Sequence, residues 1–306
     1  MSFSVNTLTA YVDQTGDLIK KAILKGETAS IVKVQGGIKN SATINQIGST
    51  LYAQLGACGW NASGTTNLTQ RTISVCDLKV NETLCLDTLE NYYTSTMMNP
   101  GSYNENIPFE QIFAEEKAEQ INALIDDIFW RGDTATGSGN LSLCNGVTQL
   151  LEKTSASAST VQATSVTAFT ASNAIAAVDA VIAAIPEAIM NSTNLVLFMN
   201  YSNFRIYATA LRNANLFHYD GSQGANFSLV VPGTNVTVKA VRGLSGVKRI
   251  YCSTADNFYL GTDLMSDAES FKITYNPYTD EVQFLAKWKM GVQVAYPEFI
   301  AYASWS

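Results

Sequence analysis

Leu195-Val-Leu-Phe-Met199, Asn200-Tyr-Ser-Asn203 and Phe204-Arg-Ile-Tyr-Ala-Thr-Ala-Leu-Arg212 follow one another without a break. Five consecutive apolar residues read as a strand buried on both faces. The four polar residues after it break the run, and the next nine carry the spacing of a helix. Outward from this unit, Asn213 to Asn226 is turn-rich. Asn235-Val-Thr-Val-Lys-Ala-Val241, Val247-Lys-Arg-Ile-Tyr251 and Asn257-Phe-Tyr-Leu-Gly-Thr-Asp263 then read as strands, rich in β-branched and aromatic residues. Val231-Pro-Gly-Thr234 precedes the first of them as a turn. Strands and helices in this order predict an α+β protein.

Upstream, Asn106 to Arg131 predicts a helix of about 24 residues, roughly 36 Å long. Asn106 is placed to cap it, with Pro108 in its first turn. Phe109, Ile112, Phe113, Ile121, Leu124, Ile125 and Ile128 form its apolar stripe, and Gly132 stops it. Glu115, Glu116 and Glu119 lie on the polar side. Asp126 and Asp127 sit near the C-terminal end, which the helix dipole disfavours, so they are expected to meet cations of a neighbouring subunit. A further Ala-rich helix is predicted near Ser172 to Ile185, with Pro186 opening another turn. Ser155 to Thr170 reads as an uncharged connector.

Downstream, Ser270-Phe-Lys-Ile-Thr-Tyr275 and Glu281-Val-Gln-Phe-Leu-Ala-Lys-Trp-Lys289 read as a hairpin about Asn276–Asp280. Val282, Phe284, Ala286 and Trp288 alternate onto one face, and Gly291 to Pro297 reads as a final strand. At the other end, Asp17 to Leu24 predicts a short helix and Ala29 to Val34 a strand, an arm outside the core. Between Asn40 and Cys76 the only charged residue is Arg71. Ile44, Ile47, Leu51, Tyr52 and Leu55 recur there at helical spacing. So many large apolar residues do not suit a solvated linker, which favours an extension covered by a partner.

The 306 residues are 46% apolar and only 15% charged, with a net charge of −7. The acidic balance argues against a primary nucleic-acid binder, since phosphate contact requires a basic footprint. Residues 1–40 carry about +2 and the rest about −9. A surface that is polar but neutral is cheap to desolvate and suits contact between subunits. The five cysteines, Cys58, Cys76, Cys85, Cys144 and Cys252, show no metal-ligand spacing and are expected to stay reduced. The N-terminus shows no secretory signal, and the most apolar run, Ala174 to Met190, is too short and too interrupted to cross a membrane.

No catalytic, cofactor-binding or metal-binding residue set is expected. The single histidine, His218, has no nucleophile elbow near it. Gly132-Asp-Thr-Ala-Thr-Gly137 has the glycine spacing of a phosphate loop but lacks its lysine and follows a helix, so it reads as a turn. Asp263, Asp267 and Glu269 lack the spacing of a calcium loop and read as a solvated acidic corner.

Taken in order, the arm with basic residues, the long insertion, the helix Pro108 to Trp130 with its exit at Gly132-Asp133, the unit 172–213, the strands through Thr262, the hairpin and Lys289-Met-Gly-Val-Gln-Val-Ala-Tyr-Pro297 resemble the major capsid proteins of tailed bacteriophages. That family has the Hong Kong ninety-seven-like fold. The resemblance covers roughly residues 70–300 and lies in the order of elements, since each motif is short. It implies an N-terminal arm (1–39), an extended loop region (40–105), a peripheral domain opening with a spine helix (106–155), an axial domain (156–262) and a peripheral return (263–306). It implies a non-enzymatic subunit that forms pentamers and hexamers. The icosahedral shell it implies would enclose double-stranded DNA without reading its sequence. Scaffolding protein, portal and, in some shells, decoration protein would be its partners; no membrane is expected. Assembly would take place in the host bacterial cytoplasm. Some family members join neighbours by a Lys–Asn bond on the extended loop, but there is no lysine between Lys39 and Lys79 to make one here. Two other readings stand: an encapsulin-like nanocompartment shell with the same fold, and a secreted, glycosylated adhesin suggested by eight Asn-x-Ser/Thr triplets.

Overall fold

The computed structural model describes residues 26–56, 58–59, 62–85, 109–153, 161–214, 227–263, 271–276, 278–279 and 281–306. Two sheets and one long helix organise them. The first sheet contains β1 (Lys33–Gln35), β4 (Cys76–Cys85), β10 (Phe258–Thr262), β11 (Phe271–Asn276) and β12 (Glu281–Val294). β1 runs parallel to β10, and β12 pairs antiparallel with β10, β11 and β4. The second sheet has the order β5 (Val161–Val166), β13 (Ala301–Trp305), β9 (Arg249–Thr254), β6 (Leu195–Met199), β8 (Thr237–Ala240), β7 (Ser228–Val230). β2 (Ser41–Leu51) and β3 (Gly64–Ser74) form a separate hairpin. The helices are α1 (Phe109–Arg131), α2 (Val147–Lys153), α3 (Ala174–Ala183), α4 (Glu187–Met190) and α5 (Tyr201–Asn213).

The five apolar residues of β6 are all buried because the strand is central and both its faces are covered. Leu195, Leu197 and Met199 pack with α3 and α5 through Val178, Val181, Phe204, Tyr207 and Leu211. Val196 and Phe198 face the other way, into the core of α1 and the first sheet. Asn200 begins α5 by accepting the Asn203 amide at 2.7 Å, so the polar break is a helix cap. Ile121, Ile125, Ile128, Phe129 and Trp130 of α1 are buried against Leu78, Phe284, Ala286, Trp288 and Met290. The alternation along β12 therefore forms the face that covers α1. Trp130 sits at the meeting point, with ring centroids 5.0 Å from Phe198 and 5.8 Å from Phe258.

Several expectations are corrected. Ser41–Leu51 is a strand, not a helix. Ile44 and Gln46 are buried while Asn45 and Ile47 are exposed, which is a period of two. The spacing of Ile44, Ile47 and Leu51 fits a helix as well, but β3 supplies a backbone partner at every position from Ser41 to Leu51. The Ala29–Val34 strand is reduced to β1, and residues 28–32 are not outside the core: Thr28, Ala29 and Val32 are buried. The 155–170 connector contains β5, which runs parallel to β13. Gly291–Val294 continues β12 as one strand of 14 residues instead of starting a new one. Cys76 and Cys144 form a disulfide with Cα atoms 6.0 Å apart, where free thiols were expected. Asp126 and Asp127 find partners inside the chain: Asp126 accepts the Thr28 amide, and Asp127 pairs with Arg131 at 2.8 Å. The predicted helix 17–24, Asn106, Pro108, His218, Asp267 and Glu269 lie outside the described residues.

Two strands fall across the expected segment boundaries. β10, at the end of 156–262, pairs in the first sheet, and β13, at the end of 263–306, pairs in the second.

Candidate assembly interface

The β2–β3 hairpin is the feature of the molecule least explained by its own fold. Its strands pair in register from Ser41↔Ser74 to Leu51↔Gly64, a ribbon about 36 Å long at the usual rise per residue. The root is firmly held. Ile44 and Ile73 are buried with Ile38 and Ala295. Val75 N–H donates to Asn40 O at 3.0 Å and closes the base. Gln46 donates to Ala295 O and accepts from the Thr69 hydroxyl at 3.0 Å. Gln293 donates to Thr72 O at 2.7 Å, and the Arg71 guanidinium donates to Val294 O at 3.2 Å. Burial lowers the Arg71 pKa, and Glu298 partly offsets this. The one charge of the 40–76 segment thus ties the hairpin to the end of β12.

Beyond Gln46 the support stops. Ile47 and Leu68 face each other across the ribbon at 64% and 73% exposure; Leu51 is 86% and Leu55 95% exposed. Tyr52 and Cys58 are exposed as well. Burying one such side chain is worth about 1.5–3 kcal/mol, so covering Ile47, Leu51, Tyr52, Leu55 and Leu68 offers on the order of 10 kcal/mol before the costs of association. With no charge to desolvate, this surface is suited to another protein surface. The sequence signalled the outer half by its lack of charge. Gln46 and Gln293 were missed at the root because an isolated glutamine carries no pattern.

Gly132–Asn140 is a turn: Asp133 accepts the Ala135 and Thr136 amides at 2.9 and 3.2 Å. Among the described residues no three His, Cys, Asp or Glu side chains gather to hold a metal ion, and no helix is long and apolar enough to cross a membrane. An open cleft of about 550 Å³ lies between Ile182, Met190, Asn191 and Gly233–Val236, and no titratable group lines it.

No protein-family model matches the chain, and no curated protein does. Solved structures do. A chain of the satellite phage P4 procapsid, a structure including the size determination (Sid) protein, aligns with TM-score 0.62 and 11% identity over 99% of this chain and 91% of its own length. The capsid of an empty GTA particle gives 0.59 and 16%, covering 94% and 90%. The chain has the Hong Kong ninety-seven-like phage capsid fold. A virus-like particle from Pyrococcus furiosus shares this capsid fold, with TM-score 0.53, 12% identity and coverage of 96% and 99%. At such identities the likeness lies in topology and element order rather than in shared side chains.

Proposed function

We propose that this protein is the major capsid protein of a tailed phage, a structural subunit whose pentamers and hexamers close into an icosahedral shell around double-stranded DNA. The observation that carries the proposal is the hairpin: rooted in its own subunit, apolar and uncharged outside it, on a chain that matches capsid subunits over nearly its whole length. In this reading the hairpin is the extended loop and lies over a neighbouring subunit. The first sheet with α1 is the peripheral domain, and the second sheet with α3 and α5 is the axial domain. Residues 1–39 are the arm. Its partners are other copies of itself, a scaffolding protein, a portal and, where the shell is reinforced, a decoration protein. The net charge of −7 fits a wall that encloses DNA without gripping it. Assembly takes place in the host cytoplasm.

The likeness to the virus-like particle favours one second reading, a nanocompartment shell. Purified protein examined by electron microscopy and light scattering tests both. Closed particles isolated from infected cells with nuclease-protected DNA support the phage shell. Closed particles without DNA but with an enclosed protein support the compartment. A monomer at every concentration, even with scaffold co-expressed, overturns both.

A further inference from the structure

Cys76 and Cys144 approach each other from elements that are placed without the bond between them. Cys76 is the first residue of β4 and lies opposite Met290 of β12, which pairs on its other side with Thr262 of β10. Cys144 lies in the loop between the exit of α1 and the start of α2. Gly146 N–H donates to Gly132 O at 2.8 Å, and a Cβ at Gly132 would collide with Cys144 O, so glycine lets this loop close against the end of the helix. Met290 is the meeting point. Its carbonyl lies 3.5 Å from Cys144 Sγ, within reach of a thiol donor there. The backbone therefore holds the two cysteines side by side, Cα atoms 6.0 Å apart, and Cys144 has an acceptor if it is a thiol.

The bond fastens a particular place. β3 ends at Ser74, two residues before Cys76, so the cross-link joins the root of the β2–β3 hairpin to the exit of α1. Gln46, Arg71 and Gln293 tie the same root to β12 by hydrogen bonds. The disulfide ties it to a second element, and covalently. The two sulfurs also differ in access: Cys144 is fully buried and Cys76 half-buried.

We propose that Cys76 and Cys144 form a redox lock on the hairpin root, open as two thiols while the subunit is made and assembled, and closed as a disulfide once the particle meets a low-molecular-weight disulfide in an oxidising medium. The Cys76 thiolate, the accessible one, attacks one sulfur of the small disulfide and releases one small thiol. The Cys144 thiolate then attacks Cys76 Sγ, forms the internal bond and releases the second. Two electrons pass from the cysteine pair to the small disulfide, and the two protons of the cysteines end on the released thiols. The timing rests on the shell reading, which places assembly in a reducing cytoplasm. The chemistry of the pair does not.

Thiol counting and unfolding of the full chain test the lock. Particles from cells producing the protein, alkylated at the moment of lysis and counted in denaturant, should show all five cysteines as free thiols. Particles prepared without oxygen and then incubated with oxidised glutathione should lose two of the five, Cys76 and Cys144. This oxidation should raise the urea midpoint for subunit unfolding by about 1 M. Cys144→Ser should build particles and show no such rise; Cys144→Ala serves if a buried hydroxyl prevents folding. A disulfide already present in particles alkylated at lysis overturns the proposal. So do five thiols retained after oxidised glutathione, an unchanged midpoint, a rise retained in the variants, or loss of particles in both variants. Protein that never forms particles undergoes the same assays as a monomer: the same thiol loss and midpoint rise support the lock, and the shell reading alone fails.

Discussion

The two halves of the β2–β3 hairpin are built from the same kinds of residue and meet opposite environments. At the root, Ile44 and Ile73 are buried, and the polar side chains Gln46 and Arg71 reach backbone carbonyls at the end of β12. A few residues farther out, Ile47, Leu68 and Leu51 stand in solvent beside polar groups such as Gln70 and Asn45 that bond only within the ribbon. Composition does not separate the halves; contact does. The root belongs to the folding of the subunit, and among the described residues nothing covers the apolar groups of the outer half.

This contrast can be broken most severely at the tip. Leu51→Asp with Leu55→Asp places charge on the surface proposed to meet a neighbour, and assembly should be lost. Light scattering of wild type and variant under identical conditions measures this; particles of normal size and yield would show that the outer half is not an interface. Just beyond the root, Cys76 pins β4 to Cys144 across a separation of 68 residues. A cross-link closing a loop of that length is worth about 4 kcal/mol by chain entropy, so reduction or Cys76→Ser should lower subunit stability by about that much. Thiol counting in denaturant without reductant should show a deficit of two from five, and five free thiols would remove the cross-link. Ile73→Ala empties a fully buried root position and should cost about 3 kcal/mol in denaturant unfolding. Leu51→Asp alone should change the stability of the unassembled subunit by less than about 0.5 kcal/mol, because that side chain is solvated there. The smallest expected effect is none: boiling mature particles in detergent and reductant should release one band near 33.1 kDa. A ladder of covalent multimers would show that a lysine outside the hairpin joins neighbours.

Local pattern alone was enough for β6, whose five apolar residues announce a strand buried on both faces. The same holds for α1, expected at about 24 residues and found over 23, and for the β11–β12 hairpin with its alternating face. These signals lie within a few residues of one another, and their order is what resembled the capsid fold. The neutral stretch from Asn40 to Cys76 was legible as a segment rich in uncharged and apolar residues, although its conformation was misread.

Tertiary structure decided whatever depends on a distant partner. Residues 44–51 satisfy both a helical and a strand spacing, and only pairing with β3 selects the strand. β5 and β13 are short and weakly patterned, yet they pair with each other across about 140 residues. Thr28 looked like part of a loose arm until Trp130 and Asp126, about 100 residues away, were seen to hold it. Periodicity reports which face of an element is apolar; it does not report what lies against that face. The strand pairings, the Cys76–Cys144 link and the hydrogen bonds at Thr28 are set by packing between elements remote in the chain, where sequence spacing carries no distance information.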